Sequence, residues 1–146
     1  MNWESRVVLV AEDSDDDFLL LKMAFRKANF RNPVHRVQNG QEAIYYLLGE
    51  EQYADRQAFP FPYVMLLDLK MPVMHGLDVL AWARQNDETR RLPVVMLTSS
   101  LQPLDVQESY DKGANGFVTK STSLAGLVEV VAAIHAFWVK VNNVEP

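Results

Sequence analysis

Three acidic residues, Glu12, Asp13 and Asp68, each stand where a strand-like apolar run ends, and two further runs end on Thr98 and Lys120. The first run, Val7-Val8-Leu9-Val10-Ala11, breaks into Glu12-Asp13-Ser14-Asp15-Asp16-Asp17. The second, Val64-Met65-Leu66-Leu67, delivers Asp68 ahead of Leu69-Lys70-Met71-Pro72. In an open parallel sheet the carboxyl ends of the strands border one crevice, so residues far apart in sequence converge there. Crowded carboxylates are unfavourable: two unit charges about 4 Å apart repel by roughly 4 kcal/mol at an effective dielectric of about 20. A divalent cation relieves that repulsion, and an ammonium and a hydroxyl on the opposite side suit the oxygens of a phosphoryl group. The residue types therefore point to metal-assisted phosphate chemistry. Oxygen-only donors with no cysteine favour magnesium, which manganese can replace.

Each of these residues also has a plainer reading when taken alone. Asp13 would serve as a helix-capping acid, the role to which Asp16 and Asp17 are assigned. Asp68 would be a turn residue ahead of Met71-Pro72. Lys120 would be a solvated charge, Thr98 a β-branched residue packed in a strand, and Phe117 a core aromatic. His35, His75 and His135 are single and separated, as surface or packed histidines are. The site reading rests on the combination.

Composition narrows the class. A chain of 146 residues with 49% hydrophobic side chains matches one domain with a real core. The expected single domain spans 1–146, with a core from about residue 6 to 141 and a tail over 142–146. A formal charge of −5 without a basic block argues against a nucleic-acid groove or an anionic membrane surface. No apolar run is expected to span a bilayer, and Met1-Asn2-Trp3-Glu4 does not open a leader, so a cytoplasmic location is expected. Zero cysteines exclude disulfides, zinc-thiolate sites and thiol catalysis.

The elements that must position the site follow from periodicity. Strands are expected at Val7 to Ala11, Val34 to Val37, Tyr63 to Leu67, Pro93 to Leu97 and Gly116 to Thr119. Between and after them, helical patterns run from Phe18 to Ala28 with Ser14 as N-cap, from about Gln41 to Leu48, from near Leu77, from Pro103 to Lys112, and from Leu124 to about Val141. Runs apolar on both faces, alternating with amphipathic helices, predict an α/β fold: a doubly wound five-stranded parallel sheet covered by five helices. Gly113 suits the left-handed residue that ends a helix. The charges and two prolines of Gly49 to Pro62 predict a solvated loop rather than a packed element, with kinase recognition or a dimer contact as the alternative.

Four motifs in order, Val-Leu-Val-Ala-Glu-Asp-Ser, Leu-Leu-Asp-Leu-Lys-Met-Pro-Val-Met-His-Gly, Met-Leu-Thr-Ser and Gly-Ala-Asn-Gly-Phe-Val-Thr-Lys, resemble the receiver domain of two-component response regulators over essentially the whole chain. The stretch before Tyr63 and the Phe137-Trp138 ending are similar to the single-domain regulators that partner bacterial phytochromes. The resemblance implies a flavodoxin-like strand order of 2-1-3-4-5 and Asp68 as phosphoacceptor from a sensor histidine kinase or histidine phosphotransfer protein. It implies Asp13 and Asp68 as direct Mg2+ ligands (Mn2+ substituting), Glu12 acting through water, and the Lys70 backbone carbonyl completing the set. Lys120 would bind a phosphoryl oxygen, while Thr98 and Phe117 would act as the switch pair. Such a protein is not an enzyme beyond catalysing its own phosphorylation and dephosphorylation.

Two departures qualify the resemblance. Ser121 stands where the family usually has a proline in a cis peptide, and a cis bond before a non-proline residue costs about 3 kcal/mol, so either that strain is held or the loop is repacked. Lys70 overhangs the phosphate position and bears on hydrolysis. Rival aspartyl phosphatase chemistry needs a second aspartate where Lys70 stands, and a flavin module needs an anion cradle that Glu12 to Asp17 would repel. A receiver-like adaptor that is never phosphorylated is the remaining alternative.

Output is expected by contact: only Asn142 to Pro146 follow the last helix, and no output domain is expected. That helix carries one apolar face of Leu124, Leu127, Val131, Ile134 and Trp138 for the sheet. A second face, Val130, Ala133, Phe137 and Val141, has no intramolecular use and predicts a homodimer through the fourth helix, fifth strand and fifth helix.

Overall fold

The computed structural model describes residues 3–143; Met1, Asn2 and the tail residues 144–146 lie outside the described residues. Five parallel strands, β1 (Val8–Ala11), β2 (Val34–Val37), β3 (Val64–Leu67), β4 (Val94–Thr98) and β5 (Gly116–Thr119), form one sheet in the order β2-β1-β3-β4-β5. The connecting helices are α1 (Asp15–Lys27), α2 (Gly40–Leu48), α3 (Gly76–Gln85), α4 (Pro103–Asp111) and α5 (Leu124–Ile134). The expected doubly wound α/β fold and strand order are both present.

Burial on both faces explains the apolar runs. Leu9, Ala11, Met65, Leu67, Val94 and Met96 face a core built with α2 and α3, while Val8, Val10, Val64, Leu66, Val95 and Leu97 face one built with α1 and α5. A fully buried Val or Leu contributes about 1.5–3 kcal/mol, so the central strands carry much of the fold's stabilisation. Local signals set the helix ends. The Ser14 hydroxyl accepts from the Asp17 N–H at 3.2 Å and starts α1, as expected for an N-cap. Gly113, at φ +106°, turns the chain after α4 in the left-handed region where a side chain is strained.

Three sequence expectations need correction. The 49–62 segment is partly packed. It contains a 3-10 turn (Glu51–Tyr53) whose Tyr53 ring is buried, 5.0 Å from Tyr46 and 5.2 Å from Phe59 by ring centroid. Arg56 donates to the carbonyls of Leu47 at 2.8 Å and Phe59 at 3.0 Å, so this charge serves the fold rather than solvent.

The last helix is not uniform either. After Ile134 it widens into a π-helical turn (His135–Val141). One extra residue per turn moves the inward position from i+4 to i+5, so Val139 is fully buried while Trp138 is only partly so. The 3.6 periodicity placed Trp138 on the packing face, where it does pack against this core, but could not anticipate the burial of Val139.

The third correction concerns membrane-spanning capacity. Leu124–Val141 is 18 residues of helix with a mean hydropathy of 1.7, long and apolar enough to cross a bilayer by length and composition. Leu127, Val131, Ile134 and Val139 are nevertheless buried in the α1–α5 core, the packing of a sheet-covering helix.

Candidate functional site

The site forms where four strands end. Glu12 follows β1 with its N–H donating to the Val37 carbonyl at 3.0 Å, and Asp68 follows β3 with its N–H donating to the Ala11 carbonyl at 3.2 Å. Adjacent, in-register strands thus set the carboxyl-bearing residues side by side. Glu12, Asp13 and Asp68 each offer a carboxylate oxygen within 4.8 Å of the others. Glu12 is buried, Asp68 half-buried and Asp13 exposed, so the cluster opens from the sheet towards solvent.

Lys120 balances these charges. Its N–H donates to the Thr98 carbonyl at 2.7 Å, anchoring the end of β5 to β4. Its Nζ donates to the Glu12 carboxylate, to Asp68 Oδ2 at 3.2 Å and to Asp17 Oδ2 at 3.4 Å. Burial pushes the Glu12 carboxyl above its usual range, opposed by the hydrogen bond and charge of Lys120. For Lys120, burial alone would lower the pKa, but Glu12 and Asp68 together hold the ammonium above the usual lysine range. The lysine is therefore charged at neutral pH.

Asp17 is the member that sequence reasoning missed. Assigned to the helix N-terminus, it does use its N–H there, yet its carboxylate also reaches Lys120. The available signal was spacing: Asp17 stands one helical turn beyond Asp13, and helical side chains lean back towards the N-terminus.

Thr98 is buried at the mouth of β4, its hydroxyl oxygen accepting from the Ser100 N–H at 3.4 Å. The Ser100 hydroxyl in turn bonds the Asp105 carboxylate in the first turn of α4. A cleft of about 440 Å³ joins Glu12, Asp13, Asp17, Asp68, Lys70 and Thr98. Phe117 stands on β5, partly buried against the core on the α2–α3 side. The Lys120–Ser121 peptide is trans, and the Ser121 hydroxyl accepts from the Ser123 N–H at 3.2 Å, so of the two alternatives it is the loop that is repacked.

The β3–α3 loop is built under constraint. Val73 takes φ +70°, a region β-branched residues avoid, and the Met74 N–H closes on the Pro72 carbonyl at 2.7 Å in a γ-turn. Gly76 then brings α3 against the Asp68 carbonyl so closely that a Cβ there would lie 2.1 Å from its oxygen. Away from the cleft, Phe137 and Val141 are exposed and Val130 is half-buried in a shallow groove with Val118 and Trp138. These three residues belong to a surface, not to the acidic site.

The donor set fits a divalent cation. It offers three converging oxygen donors, one ammonium that offsets part of their charge, and a cleft open to solvent. A parallel 2-1-3-4-5 sheet with this acidic cluster at its carboxyl edge defines the flavodoxin-like receiver class of domain. Residues 8–132 match the response regulator receiver domain, and the chain belongs to that family.

Among its relatives, the response regulator Rcp1 of Synechocystis sp. is 33% identical over 135 residues, covering 92% of this chain and 90% of that protein. The response regulator RPA3017, in red light signaling of R. palustris, superposes with a TM-score of 0.91 at 33% identity, over 97% of this chain and 99% of that one. The phosphorylated cyanobacterial phytochrome response regulator RcpA gives a TM-score of 0.88 at 32% identity with the same coverages. An Mn2+-bound form of Rcp1 gives 0.84, also at 32% identity and with the same coverages. The protein is thus a receiver-domain response regulator related to phytochrome response regulators.

Proposed function

We propose that Asp68 accepts a phosphoryl group from the phosphohistidine of a sensor histidine kinase or phosphotransfer protein, and that this chain relays the signal by protein contact. The observation that carries this reading is the convergence of Glu12, Asp13 and Asp68 within 4.8 Å, with Lys120 Nζ 3.2 Å from the acceptor carboxylate. An Asp68 oxygen attacks phosphorus, the phosphorus–nitrogen bond breaks, and the imidazole leaves with a proton. Lys120 supplies a positive charge to a phosphoryl oxygen, and Thr98 offers a hydroxyl within the same cleft. Asp13 and Asp68 would hold Mg2+ directly, with the Lys70 carbonyl, and Glu12 through water. When bound, the cation neutralises charge between carboxylate and phosphoryl oxygens. The Mn2+-bound relative supports manganese as a substitute.

Phosphorylation biases the conformational equilibrium only through its differential interaction with two packings. Thr98 and Phe117 are proposed as that switch: the hydroxyl moves to the phosphoryl group and the ring fills the space it leaves. The reader of the change is a protein surface. Phe137, 52% exposed, and Val141, 63% exposed, support a homodimer through α4, β5 and α5. The relatives' phytochrome and red-light associations support a light-sensing kinase as donor. We place the protein in the cytoplasm as one receiver unit over 1–146, with no direct contact to nucleic acid or membrane, and catalysing only its own phosphorylation and dephosphorylation.

Intact-protein mass after incubation with a small phosphoryl donor tests the chemistry. A gain of one phosphoryl group that needs magnesium and is lost in Asp68→Asn is expected. Absence of that gain in folded protein, while a control receiver is labelled, would leave the phosphorylation-independent adaptor as the reading.

A further inference from the structure

Arg36 lies on the edge strand β2, opposite Val10 in the β1–β2 register, and nothing in its sequence context singles it out. Its guanidinium spans the loop that carries the acids. Nε donates to the Glu12 carbonyl at 2.9 Å and Nη1 to the Asp15 carboxylate at 2.7 Å, with the group 4.9 Å from the centroid of the Phe18 ring. Since the Glu12 N–H already donates to the Val37 carbonyl, both backbone polar groups of Glu12 are held by β2, one of them only through Arg36. Asp13 and Ser14 lie between the two points that Arg36 fixes.

The energetics of Arg36 are unfavourable for a purely stabilising role. Its side chain is only 16% exposed, and Nη2 is buried without a hydrogen-bond partner. An unsatisfied buried donor on a charged group is costly. The ion pair offsets little of that, because the Asp15 side chain is 85% exposed and its charge is screened by water. What the arrangement does supply is a bridge from the Glu12 carbonyl to the Asp15 carboxylate across the Glu12–Asp15 loop.

We propose that Arg36 is a positioning residue for the cation site: it ties the end of β1 to the start of α1 so that the Glu12 and Asp13 carboxylates are presented already converged. This inference rests on the reading of Glu12, Asp13 and Asp68 as a divalent-cation site. Arg36→Met keeps the length and the contact with Phe18 while removing both donors and the charge. Arg36→Lys keeps the charge but not a fork that reaches two acceptors.

The test is calorimetric titration of Mn2+, with Mg2+ competition, on the natural chain, both variants and Asp13→Asn, alongside thermal unfolding in chelator. The Mn2+ dissociation constant should rise about ten- to hundredfold in Arg36→Met, by a smaller factor in Arg36→Lys, and beyond detection in Asp13→Asn. A lower melting temperature with unchanged Mn2+ affinity in Arg36→Met would make Arg36 merely structural and overturn the inference. Should Arg36→Met fail to fold, Arg36→Lys decides: natural affinity in that variant overturns the inference equally. Failure of the natural chain itself to bind Mn2+ would remove the cation-site reading, and the role of Arg36 with it.

Discussion

Replacing Gly76 by alanine disturbs the phosphoacceptor without altering an acid. No left-handed backbone is involved at Gly76; space alone demands glycine. The added Cβ would stand 2.1 Å from the Asp68 carbonyl oxygen and 2.9 Å from the Leu69 Cα, both main-chain atoms. Reaching even the ~3.3 Å of a close carbon–oxygen contact requires roughly 1.2 Å of movement. The Gly76 N–H is bonded to the Leu69 carbonyl at 2.8 Å, so the loop cannot retreat without losing that bond as well.

Overpacking of this kind costs about 1–3 kcal/mol, and loss of the hydrogen bond about 1 more. Against this stands roughly 1 kcal/mol of helix propensity gained by alanine, leaving a net destabilisation of about 2 kcal/mol. For a domain of this size that lowers the melting temperature by roughly 6–8 °C. Because the displaced carbonyl belongs to Asp68 itself, phosphorylation by a small donor should slow by about 10²-fold, as expected for a misplacement near 1 Å. Thermal unfolding and time-resolved intact mass measure the two effects. A melting temperature within about 1 °C of the natural chain, with unchanged labelling, would refute the claim that α3 is wedged against the acceptor.

Tyr46 links stability to alkaline pH. Burial pushes its phenol up to about 12, opposed by the Arg56 charge, and its hydroxyl donates to the Pro60 carbonyl at 3.0 Å. A folded pKa raised above the unfolded value of about 10 gives stability that is full below pH 10 and is lost as pH rises towards 12. At about pH 11 the loss is roughly 1.4 kcal/mol. Urea unfolding near pH 8 and about pH 11 should show this loss largely removed in Tyr46→Phe; parallel pH slopes would contradict it. On the surface, Phe137→Glu should yield a monomer by sedimentation while leaving Asp68 labelling intact. A natural chain that is monomeric both with and without phosphate would dismiss the dimer.

Much of the site was legible because strand ends are punctuated. Within a sheet covered on both faces mainly apolar side chains are tolerated, so the polar residues at the end of each run mark the crevice, and Glu12, Asp13, Asp68, Thr98 and Lys120 all fell there. Asp17 was not legible, since the acidic first turn of a helix has a sufficient local explanation and the lysine it reaches is 103 residues away. The 49–62 segment misled for a related reason. Its charges and prolines describe solvent, yet Tyr53 and Phe59 find partners in Tyr46 and His35 on other elements.

Sequence by itself determined the alternation of strands and helices, the parallel sheet and the residues at its carboxyl edge, because each follows from a local period and from the requirement that polar groups leave the core. Tertiary structure decided which of those residues touch. It selected the trans peptide at Lys120–Ser121, the inward turn of Val139 and the reach of Arg36 across the acidic loop. These depend on distances between elements and on side-chain reach, quantities that no pattern along a single strand or helix contains.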